Sequence, residues 1–142
     1  MGELMVPAFV PLVAVVIVLV CLIYFFMTSI VFLFVRLDIR DVSILFRGLL
    51  NNYLRLVGIT GLAASGAFAA SAHMVFAAAM LVIAATAITM RRRVIQQVDA
   101  EQSAFALGDA GAMRRLRSIH WSVMLANVVA LAGVMSGLPF IL

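Results

Sequence analysis

A chain of 142 residues that is 66% hydrophobic and 11% charged, with a mean hydropathy of +1.23, is not a soluble domain. Soluble domains carry about 25% charged residues, and at this size too much surface remains outside for so apolar a chain to hide in water. All ten basic residues are Arg, set in two blocks beside apolar runs, so the net charge of +4 and the pI of 10.6 point to membrane anchoring and not to nucleic-acid binding.

The first segment, Met1 to Val35, carries one charge, Glu3, and two prolines, Pro7 and Pro11. Pro11 to Val35 is uncharged over 25 residues, enough to cross a bilayer with some tilt. It lacks a basic leader and exceeds the apolar core of a signal peptide, so it reads as a retained first helix over about 6–35. Cys21 stands alone within it, which gives no intrachain disulfide and no thiolate metal site. A first inner loop, 36–48, holds Arg36, Arg40 and Arg47. Asp41 reads as the cap of an interfacial helix that continues into the second crossing, 49–70.

Leu56 to Met90 is 35 residues without Asp, Glu, Lys or Arg. A helix of that length would run about 50 Å, against a hydrocarbon core of about 30 Å. The run therefore reads as two helices, 49–70 and 74–90, turning near Ser71-Ala72-His73. Seventeen of the 35 residues are Gly, Ala or Ser, which lets helix backbones approach closely in lipid. Gly61, Ser65 and Ala69 recur every four residues along one face, as a packing ladder.

Arg91-Arg92-Arg93 opens a second inner loop, 91–118, whose Gln96, Gln97, Asp99, Glu101 and Gln102 must meet water. Leu107-Gly108 reads as a helix stop and Asp109 as the next cap. Arg114, Arg115 and Arg117 lead into a fourth helix, 119–141, containing Gly133-Val-Met-Ser-Gly137. With four crossings every Arg falls on one side, as the positive-inside rule requires. The expected architecture is all-α: a single four-helix transmembrane domain over 1–142, an antiparallel bundle in a bacterial inner membrane, both termini outside.

Few residues offer chemistry. His73 at the outer turn and His120 at the inner start of helix 4 are a bilayer apart and cannot share a metal, so no metal and no cofactor are expected. All six acids lie in loops or at the terminus, which argues against coupled transport. Arg47, Asn51 and Arg55 recur every four residues and could take a lipid phosphate or another anion, with snorkelling anchorage as the plainer alternative. His120 and Asn127, seven apart, share one face of helix 4. They are the best catalytic candidates, with interhelical hydrogen bonding as the competing role. Trp121 is an interface anchor.

The stretch Arg114-Arg-Leu-Arg-Ser-Ile-His120-Trp-Ser-Val-Met-Leu-Ala-Asn127 resembles the last-helix signature of small four-helix bacterial membrane proteins similar to the eukaryotic transmembrane protein 205. That family shows Leu-His, then Ser, then Asn seven residues after the His. Here Ser122 falls one position early, and the Pro usual after the first helix is missing from Phe32 to Asp38. Anthrone-oxygenase-like four-helix proteins also have basic residues before the last helix, but their Asn and Trp pattern is not reproduced. The resemblance implies the architecture and no established activity.

Two functions follow as expectations. One is a non-catalytic accessory or assembly subunit whose partners are membrane lipids and other membrane protein subunits. The other is a small membrane enzyme acting on a lipophilic substrate through His120 and Asn127.

Overall fold

The computed structural model describes residues 9–140; Glu3, Pro7, the first residues of the expected helix 1 and the last of helix 4 lie outside them. The described chain forms four long helices: α1 (Phe9–Phe34), α2 (Arg40–Ala70), α3 (Met74–Ala106) and α4 (Ala112–Gly137), closed by a 3₁₀ turn at Leu138–Phe140. All four are long and apolar enough to cross a membrane, and the protein is an integral membrane protein.

Local sequence explains the ends. Pro11 sits in the first turn of α1, where its missing N–H costs no helical hydrogen bond. The α1–α2 connection is short and tied by Arg36 donating to Asp38 at 2.7 Å, with Leu37 folded inward. Asp41 is not the cap expected of it: α2 begins at Arg40 after Ile39, which places Asp41 within the first turn, where its charge complements the helix dipole. Ser43 closes that turn by donating to the Arg40 carbonyl.

At the opposite end the chain reverses at Ser71–His73. Ala72 takes a left-handed φ of 61°, and the His73 N–H reaches the Phe68 carbonyl at 2.9 Å. Then α3 runs unbroken through Arg91-Arg92-Arg93 to Ala106, stopping at Gly108, whose φ is +93°. Asp109 accepts from the Gly111 N–H, and α4 follows at Ala112. Stretches expected as inner loops are thus largely helix. No Pro or Gly interrupts 91–106, and Gln, Arg and Ala favour helix whether in lipid or water. The expected spans 49–70 and 74–90 lie within the longer helices α2 and α3.

Each helix packs on its sequence neighbours, and α4 closes the ring against α1; α2–α3 is the most extensive contact. Neighbours run antiparallel. The diagonal helices α2 and α4 run parallel and meet only through side chains crossing the centre of the bundle.

Candidate functional site: two layers at the bundle centre

Asn127 is 1% exposed and lies on the bundle axis. Its Oδ1 accepts from the Tyr53 hydroxyl at 2.7 Å, and its Nδ2 donates to the Leu22 carbonyl of α1 at 3.2 Å. The Tyr53 ring is stacked on Phe25 with centroids 3.7 Å apart. Three helices therefore meet at one polar side chain, and both ends of its amide are satisfied.

Seven residues along each helix, about 10 Å away, the layer repeats with different chemistry. Phe32 of α1 tilts against Phe46 of α2, and Phe46 meets the His120 ring edge-on at 5.0 Å. Phe46 stands where the first layer has Tyr53, so no hydroxyl is offered across the centre. His120 Nε2 is buried without a hydrogen-bond partner, and so is the Oγ of Ser29, seven residues beyond Leu22 on α1. His120 is thus buried in the bundle with its Nε2 unsatisfied. Helix α4 starts at Ala112, so its third turn is already inside the bundle, and His120 is 1% exposed. His73 lies at the far end, its ring nitrogen against the Ser71 carbonyl. No group of three or more metal-ligating side chains occurs among the described residues.

The small-residue ladder on α2 divides. A Cβ on Gly61 would meet the Ala84 Cβ at 3.0 Å and its backbone at 3.4 Å. The Ser65 hydroxyl donates to the Ala77 carbonyl at 2.8 Å, whereas Ala69 is exposed. The close approach continues instead toward Gly58, where a Cβ would fall 2.8 Å from Ile88. On α4, Gly137 faces Phe76, while Gly133 faces open space.

Arg47, Asn51 and Arg55 also part company. Arg47 forms an ion pair with Asp99 of α3, and Asn51 accepts from Arg91 at 2.9 Å. Both are spent on joining α2 to α3. Arg55 is exposed near the midpoint of α2, two residues from Tyr53, and makes no hydrogen bond among the described residues. Further along the charged end, Arg115 binds Glu101 and Asp109, and Arg117 donates to the Leu33 carbonyl. The Asp109 carboxyl is held below the usual carboxylate range, chiefly by the Arg115 guanidinium and then by the Gly111 N–H.

Two apolar grooves open on the outside of the bundle. One, of about 840 Å³, lies between α1 and α2; the other, of about 510 Å³, lies between α3 and α4 with α2 as its floor. Tyr53 borders both, but neither is lined by His120 or Asn127. No family model, characterised protein or solved structure matches the chain.

Sequence reasoning found Asn127 and His120 and missed their surroundings. Tyr53 sits at heptad spacing from Phe46, as Asn127 does from His120, and that shared spacing was the available signal. Ser29 gave none, being one hydroxyl in a long apolar run. Gly58 was findable, three residues before Gly61 on the same face.

Proposed function

We propose that this integral membrane protein is non-catalytic and serves as an accessory or assembly subunit of a larger membrane complex. The state of Asn127 carries the reading: the deepest amide is tied at both ends, to Tyr53 and to the Leu22 carbonyl, and lines neither groove, so no substrate reaches it in this arrangement. The enclosure of His120 supports it too, since a general base must come within hydrogen-bond reach of its proton. The enzyme alternative needs α1 or α2 to move aside before His120 can act. The membrane is a bacterial inner membrane with both termini outside. That orientation rests on the Arg residues, which lie toward the end bearing the α1–α2 and α3–α4 connections. Reporter fusions after Leu142 and Gln97 are expected to mark opposite compartments.

The functional test is complementation of a deletion strain. Tyr53→Phe, Asn127→Ala and Gly61→Leu are expected to lose function only in proportion to the folded protein they leave in the membrane. A variant of Tyr53 or Asn127 present at the full folded level, yet null in phenotype, would replace the subunit reading with the enzyme one.

A further inference from the structure

The groove between α3 and α4 is a one-sided slot. Its walls are Val82, Thr86 and Met90 on α3 and Ser122, Ala126 and Val129 on α4. Each wall is about 10 Å long at 1.5 Å per residue. The small Ala126 leaves the slot open where a larger side chain would fill it.

The inner end of the slot is cationic. Arg93 lies seven residues from Thr86, hence on nearly the same face of α3, and is exposed. It makes no ion pair or hydrogen bond among the described residues. Its neighbours one turn either way, Thr89 and Gln97, carry no charge. Pairing of Gly137 with Phe76 and of Arg115 with Glu101 sets the α3–α4 register and puts Arg93 level with Trp121. Trp121 is the only Trp of the chain and is 57% exposed; it shares the level of Arg93 but points about 100° round α4 from Ser122, outside the slot. Trp and Arg at one level are the pair that marks a headgroup boundary.

We propose that this slot is a binding site for an anionic phospholipid, one acyl chain lying between α3 and α4 and the phosphate on Arg93. The apolar length takes the chain, and the unpaired guanidinium takes the charge. A zwitterionic lipid fills the slot equally well but brings its own cation to Arg93, which removes the electrostatic gain. Arg92 is also exposed but points about 100° away around α3.

A Trp on the slot itself gives the readout: Trp121→Phe combined with Leu125→Trp leaves a single indole on the α4 wall. The full-length double variant is placed in bilayers doped with chain-brominated phosphatidylglycerol or phosphatidylcholine, and quenching of that indole is followed. This background is expected to favour the anionic lipid about fivefold, the equivalent of about 1 kcal/mol per basic residue near the surface. Arg93→Gln should bring the ratio close to one, and Arg92→Gln should leave it high. Ala126→Phe should lower quenching by both lipids by filling the slot. Equal quenching by the two lipids in that background would overturn the proposal, as would equal losses in Arg92→Gln and Arg93→Gln, which would mean a diffuse surface field. Loss of quenching by both lipids on adding inorganic phosphate would also overturn it, since the chain would then contribute nothing.

Discussion

The helix pairs α2–α3 and α1–α4 solve the same packing problem by different means. Helices α2 and α3 are joined by a tight turn and approach through Gly58, Gly61, Ala77 and Ala84. Helices α1 and α4 come from opposite ends of the sequence and present Leu22, Phe25, Met124 and Asn127 to the centre. In lipid there is no hydrophobic drive between helices, so association rests on close packing and interhelical hydrogen bonds. Small residues supply the first where backbones can touch. Where bulky side chains hold backbones apart, one placed amide supplies the second and fixes the register. The apolar lengths differ as well. Pro11–Val35 and Ser118–Leu142 are each 25 residues without charge, but α2 is charge-free only from Leu56 and α3 only as far as Met90. The α2–α3 pair thus brings its arginines alongside the still apolar α1 and α4.

The comparison is broken most severely at Gly61. Gly61→Leu forces atoms into the Ala84 backbone, and overpacking of this kind costs about 1–3 kcal/mol or more. Gly133→Leu, facing open space, is expected to stay within about 0.5 kcal/mol of wild type. Thermal unfolding in detergent compares the two, and equal losses would mean that α2 and α3 do not meet as described.

Next in size is the polar link. Tyr53→Phe removes one interhelical bond and Asn127→Ala removes two, each of a kind that in membranes averages about 0.6 kcal/mol with a maximum near 1.7. The Tyr53–Asn127 bond predicts that the double variant loses less than the sum of the singles. Strict additivity would deny that bond a share in stability.

The smallest effect belongs to Asp109 at the exposed α3–α4 connection. Its carboxyl is depressed by Arg115, so its contribution is present above the unfolded carboxylate pKa of about 3.9 and is lost as pH falls through the folded value. Asp109→Asn should therefore lower the melting temperature slightly at pH 7, by a difference that shrinks as pH falls through the acid range. A gap that persists in acid would assign the effect to the turn and not to the charge.

Much of this was readable from the residues. The uncharged runs gave four crossings because charge is costly in hydrocarbon, and the bundle class follows from their lengths. The reversal at Ser71–His73 lies at the one polar cluster inside an apolar run too long for a single crossing. Helix ends were less legible. Nothing in Arg91–Ala106 distinguishes a wet helix from a loop, because leaving the membrane need not end a helix. The centre was half legible. Asn127 stands out in an apolar helix, but Tyr53 and Phe25 become its neighbours only through the register of a diagonal contact, which no local pattern encodes. The fates of Arg47 and Asn51 were hidden for the same reason: their partners Asp99 and Arg91 lie on another helix, some 40 or more residues away in sequence.

The central claim is that Asn127 ties the helices together and that neither it nor His120 performs chemistry. His120→Gln tests it most directly, scored in the same cells for folded protein and for rescue of a deletion strain. Gln keeps a polar group against Phe46 but cannot replace imidazole as a base, a role that typically contributes about 10²–10⁴ in rate. The account predicts near-normal folding and near-normal rescue. A folded, membrane-inserted His120→Gln protein with no rescue would contradict it.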